Sequence, residues 1–207
     1  IKGQGPLVYS SAAAVDNRGY FLCSAHSVKQ DYQIFLNIVT QGEAAAIFPA
    51  RLVWKGSQSS FRSKDLALLH INQQLPAVFP LGQPLKGEAV MGCGLNYPKS
   101  ENVKFDLSVA TFGGEISSVL PFPDHALPHD LVFNSLPLQK GDSGGPVMNA
   151  RGELVGISVK STFFVTGARK LDDHRSLAIL PDSRWLQSKI DEDWKAVAKD
   201  GYRNKVP

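Results

Sequence analysis

The chain has 207 residues, 43% hydrophobic and 20% charged, with a formal net charge of +3. That balance suits a folded globular chain able to bury a sizeable core and argues against disordered or fibrous classes. Its 22 basic residues are scattered among 19 acidic ones, which gives no basic stripe for nucleic acid, and no apolar run approaches the roughly 18 residues of a membrane-spanning helix.

Short β-rich runs dominate the first 180 positions. VYSSAAAV, a DNRG turn and YFLCSAHSV read as a hairpin over 8–28, and YQIFLNIVT, AAIFPARLVW and DLALLHI follow as further strands up to 71. A Pro- and Gly-rich passage at 76–87 (PAVFPLGQPLKG) separates these from a second set: EAVMGCGL, KFDLSVATFGGEISSVL, DLVFNSL, GPVMNA, ELVGISVKS and SLAIL. Strands without intervening helical segments predict an all-β sandwich or barrel rather than a parallel α/β sheet. From Asp182 or Ser183, either a good N-cap, Trp185, Leu186, Ile190, Trp194 and Val197 recur at helical spacing, which predicts an amphipathic helix over about 182–199. No internal repeat or low-complexity tract is visible.

Two cysteines, Cys23 and Cys93, lie far apart in apolar surroundings and read as buried thiols. No ligand pair shows CxxC or HxxxH spacing, so neither metal nor cofactor is expected. The stretch LPLQKGDSGGPV packs three glycines around Ser143. On its own it is ordinary turn chemistry, but a serine hydroxyl becomes a nucleophile when a histidine, held by a carboxylate, takes its proton. His26 ends an apolar strand after the small residues Ser24 and Ala25, and Asp65 stands directly before LALLHI. The other histidines lie in or at the end of a strand (His70) or in loops (His125, His129, His174). Any one of these residues alone reads first as a satisfied structural group.

In the order SAH, DLALL, GDSGGP, the sequence resembles the chymotrypsin-like (trypsin-fold) serine peptidases, including compact bacterial and HtrA-like members. The resemblance runs from the hairpin before His26 to the C-terminal WLQSKI segment. It implies two six-stranded antiparallel β-barrels, at 1–80 and 81–207, with a C-terminal helix. His26, Asp65 and Ser143 would form the catalytic triad, and Gly141 and Ser143 would supply the oxyanion-binding amides. The substrate would be a protein or peptide, with no cofactor. Ser143 would be the nucleophile of an acyl-enzyme endopeptidase, and the protein would be exported, its signal lying outside this chain. A catalytically silent binding module or an esterase with the same triad are the alternatives.

The resemblance also places specificity residues. The position six before the nucleophile, an aspartate in trypsin, is Pro137 here, next to Leu138. Lys140 would flank the cleft, Ser158, Val159, Lys160 and Ser161 would form one wall, and Ser176 would lie opposite. Without an acidic floor, the expected preference is for a small or medium apolar residue before the scissile bond rather than Arg or Lys. Ile1 and Asp142 form a candidate activation ion pair.

Overall fold

The computed structural model describes residues 9–29, 32–38, 46–56, 64–96, 108–163 and 174–199. In the N-terminal part, β1 (Ala12–Asp16), β2 (Tyr20–Cys23), β3 (Ile34–Ile38), β4 (Ala46–Lys55) and β5 (Ala67–Ile71) form one antiparallel sheet in the order β1-β2-β5-β4-β3. The remaining strands are β6 (Ala89–Asn96), β7 (Ser108–Phe122), β8 (His129–Asn134), β9 (Pro146–Asn149), β10 (Leu154–Phe163) and β11 (His174–Pro181). They close into a barrel in the order β10-β11-β8-β7-β6-β9. Helix α1 (Ser183–Lys199) ends the described chain.

The all-β class, the closed six-stranded second barrel and the terminal helix match the expectation. The first barrel does not: among the described residues it is a curled five-stranded sheet rather than six strands closed on themselves. Segment 75–79 runs past β1 and makes single hydrogen bonds there, from Leu75 N to Asn17 O (2.8 Å) and from Phe79 N to Ala14 O (2.9 Å). Pro76 and Pro80 lack the N–H donors that a continuous ladder requires.

Side-chain alternation sets the core. Tyr20, Leu22 and Leu68 on one face of the sheet share a buried cluster with barrel residues such as Leu154 and Ile157 and with Leu186 and Ile190 of the helix. Phe21, Cys23, Ala67, Leu69 and Ile71 fill the opposite face with Leu75. Burial on both faces explains why YFLC and LALLHI read as near-continuous apolar runs instead of alternating ones.

The helix starts where its cap allows. Asp182 Oδ1 accepts from the amides of Arg184 (3.0 Å) and Trp185 (2.9 Å), donors that the first turn would otherwise leave unpaired. Trp185 then meets Trp54 edge-on, ring centroids 4.8 Å apart. Further along, Asp193 accepts from Arg51 Nη1 (2.7 Å), Arg51 Nη2 and the Tyr20 hydroxyl (2.7 Å). Burial works to raise the Asp193 carboxyl, but these donors outweigh it and hold the group below its ordinary range. Helix α1 is therefore fastened to β2 and β4, and β2 leads directly to His26.

Candidate active site

Register brings His26 and Asp65 together. Cys23 of β2 pairs with Ala67 of β5, so the residues just after β2 and just before β5 leave the sheet at the same end. Ser24 follows β2 and a short 3-10 turn, Ala25–Ser27, carries His26. Asp65 is fully buried, 0% exposed, and accepts from the His26 backbone N–H and from Nδ1, both at 2.7 Å. A carboxylate only accepts, so Nδ1 carries a proton, and in the neutral ring the lone pair is then on Nε2.

Ser143 sits half-buried on the loop between β8 and β9. Gly141 has φ +104° and Gly144 φ +86°, values that other residues rarely adopt. A Cβ on Gly144 would also lie 2.0 Å from the Ser11 carbonyl oxygen. The loop's amides divide into two groups. Asp142 N donates to Gln139 O (3.2 Å), Gly144 N to Ser158 O (2.6 Å) and Gly145 N to Asp142 O (2.9 Å). Those of Gly141 and Ser143 donate to no protein acceptor among the described residues. Two unspent amides beside a serine are the donors that a developing oxyanion needs.

A model of the trypsin-like peptidase domain family matches residues 10–157. The chain belongs to that family. It is a family of serine peptidases, hydrolases of peptide bonds. No curated protein matches the sequence. Among solved structures, a serine endoprotease from Yersinia pestis is similar at 23% identity and a TM-score of 0.62, over 93% of this chain and 59% of that one. The HtrA-type protease AlgW, solved with a decapeptide, is similar at 23% identity and a TM-score of 0.61, over 88% of this chain and 51% of its own. At this identity the likeness is one of fold, and this chain spans a little over half the length of either structure.

Asp142, between Gly141 and Ser143, is 3% exposed. Its Oδ2 accepts from Gln139 N at 2.7 Å, and burial raises its pKa against the opposing effect of that hydrogen bond. Gly94 of β6 makes room for it, because a Cβ there would lie 1.8 Å from Oδ1. Ile1, its candidate ion partner, lies outside the described residues.

The residues expected to set specificity divide. Pro137 and Lys140 are exposed, and Leu138 is half-buried against the core. Val159 is fully buried in that core. Ser158 and Ser176 are buried as well. Ser158 braces the loop through its backbone, with its N–H donating to Gly145 O at 2.9 Å. Ser176 Oγ donates to Leu136 O at 2.6 Å, so it holds the chain just before Pro137. Lys160 and Ser161 belong to β10, their side chains outside the described set.

No group of three metal-ligating side chains occurs among the described residues, nor a helix long and apolar enough to cross a membrane. Both cysteines are thiols; burial pushes Cys23 up to about 12, and Cys93 is half-buried. His129, expected in a loop, instead opens β8 and is buried against the Phe122 ring, centroids 4.9 Å apart. Ser10, Ser11, Ser24 and Ser27 carry little site signal in the sequence, yet all four hydrogen-bond at or next to the Ser143 loop and the His26 turn. Their signal in the sequence is faint: adjacent serines at 10–11 and serines flanking AH.

Proposed function

We propose that this chain is a serine endopeptidase acting through Ser143, His26 and Asp65. The observation that carries the reading is the two-point grip of buried Asp65 on His26, within a trypsin-like peptidase domain. Ser143 Oγ attacks the scissile carbonyl while His26 Nε2 takes its proton. The oxyanion is held by the Gly141 and Ser143 amides. Collapse breaks the C–N bond, and the leaving amine takes the proton from His26. Water then repeats the sequence on the acyl-enzyme and restores Ser143. Residues 1–80 supply base and orienting acid, and residues 81–207 supply nucleophile and oxyanion donors.

Preference for a small or medium apolar residue before the scissile bond is supported by Pro137 and Leu138, where a trypsin has its acidic floor. A crevice of about 320 Å³ that begins at Val28 and Lys29, just after His26, and continues along Tyr32, Phe35 and Leu52 offers apolar surface for further substrate residues.

Fluorophosphonate labelling of wild type and Ser143→Ala, with a peptide-library digest, tests the proposal. The expected result is labelling and peptide cleavage in wild type alone, after apolar residues. Unlabelled wild type supports a silent binding module. Labelling with ester turnover but no peptide turnover supports an esterase, and cleavage confined to Arg or Lys overturns the specificity.

A further inference from the structure

Four serine hydroxyls outside the triad connect the His26 turn to the nucleophile loop. Ser24 Oγ and Ser27 Oγ are 2.6 Å apart, Ser27 Oγ and Ser10 Oγ 2.7 Å, and Ser10 Oγ donates to the Ser143 carbonyl. Next to it, Ser11 donates its backbone N–H to the Ser143 carbonyl (2.9 Å) and its hydroxyl to the Gly141 carbonyl (3.0 Å). We propose that Ser10 and Ser11, with Ser27 and Ser24 behind them, are positioning residues for the oxyanion-binding amides, an inference that rests on the peptidase reading above.

The direction of the chain follows from its end. A carbonyl only accepts and each hydroxyl has one proton. Ser10 gives its proton to the Ser143 carbonyl and must accept from Ser27, which in turn accepts from Ser24. All three bonds point the same way, so each polarises the next, and the chain ends on the backbone of the nucleophile itself.

The anchoring points explain the effect. The Gly141 carbonyl is held by Ser11, the Ser143 carbonyl by Ser10 and Ser11, and the Asp142 carbonyl by Gly145 N at 2.9 Å. Three consecutive peptide units are thus held through their oxygens. In a trans peptide the N–H points opposite to the C=O, so the Gly145 N–H on the Asp142 carbonyl aims the Ser143 N–H, and Ser11 and Ser10 fix the peptide units on either side of that one. Holding the unit after Gly141 limits how far that residue's own amide can swing. Preorganised donors of this kind act without reorganising during the reaction.

The test is steady-state kinetics of Ser11→Ala, Ser11→Thr and Ser27→Ala on a peptide the wild type cleaves. Affinity for a peptide boronic acid, which mimics the tetrahedral intermediate, is measured in parallel. Losing an oxyanion donor outright costs roughly 10²- to 10³-fold in rate. Misaiming costs less, and for Ser11→Ala we expect kcat to fall about tenfold with KM within about twofold. Boronate affinity should fall by the same factor as kcat, and Ser11→Thr, which keeps the hydroxyl, should recover most of it. Ser27→Ala removes one link and leaves the loop's own contacts intact, so about a threefold fall is expected, readable even where Ser11→Ala folds poorly. Unchanged kcat, a change in KM alone, or a loss of kcat without loss of boronate affinity in an active protein overturns this inference and leaves the peptidase reading standing. A wild type inert to both peptides and fluorophosphonate overturns both.

Discussion

Asp65 accepts two hydrogen bonds from the single residue His26, one from the backbone N–H and one from Nδ1, each 2.7 Å long. The backbone bond fixes where the residue sits, and the ring bond fixes which nitrogen carries the proton. Neither alone would leave Nε2 both correctly placed and basic.

Asp65→Asn separates the two bonds. The amide oxygen can still accept from the His26 N–H, but its NH2 group would donate to Nδ1 and move the imidazole proton to Nε2. We expect kcat to fall about 10⁴-fold, as for the same change in the Ser-His-Asp template. A rate within tenfold of wild type would contradict the assignment.

Gly144 and Gly152 form a matched pair. Both have positive φ, +86° and +74°, but a Cβ on Gly144 meets the Ser11 carbonyl oxygen at 2.0 Å while one on Gly152 meets nothing within 4 Å. Gly152→Ala should cost only the backbone strain, about 1 kcal/mol. Gly144→Ala adds a clash with backbone that cannot rotate away, for a total of about 3 kcal/mol and loss of activity. Urea unfolding of the two variants checks the difference.

Asp193 fastens the helix to the sheet that carries His26. Removing its carboxylate in Asp193→Ala leaves Arg51 and the Tyr20 hydroxyl without that acceptor. The Arg51 side chain is 34% exposed, so water compensates in part, and a loss of about 2 kcal/mol is expected. Adding Arg51→Ala should cost little more, since the two residues already act on one contact.

His70 of β5 is buried beneath helix α1, near the Tyr20 and Trp194 rings, with Nε2 3.1 Å from the Arg18 carbonyl. Burial first, and then the Arg51 charge, lower its pKa from 6.5, with Asp193 and Asp16 opposing. The folded state therefore holds the imidazole proton less tightly than the unfolded chain does. The resulting stability is fully present above pH 6.5 and is lost as the pH falls through the lower, folded value. Urea midpoints measured from pH 7.5 down to 5 should decline in wild type and decline less in His70→Gln. Equal slopes would remove His70 as the cause.

Much of this protein can be read in one dimension. The run LALLHI announces a strand covered on both faces because four successive side chains are apolar and a fifth, Ile71, follows His70, and the helix over about 182–199 follows from a cap at Asp182 and an apolar residue every third or fourth position. The three catalytic candidates stand out because GDSGGP, AH and DLALL occur in one order, a resemblance rather than a geometric deduction. Non-local pairing was hidden. Pro76 and Pro80 look like ordinary loop residues until the 75–79 backbone is seen alongside β1, joined to it by single hydrogen bonds. His129 reads as a loop residue after Pro128, yet pairing with β7 and β11 makes it the buried start of β8.

By itself, the sequence determined which segments are strands, where the helix begins, and which serine, histidine and aspartate to suspect, since local pattern and cap chemistry act over a few residues. Only the tertiary structure decided that the described N-terminal strands pair as one five-stranded sheet, that Asp65 grips His26 twice, and that Ser10 and Ser11 reach a loop 130 or more positions away. Those contacts depend on strand register and the packing of one sheet against another, and a hydroxyl's partner at that separation leaves no periodic trace in the chain.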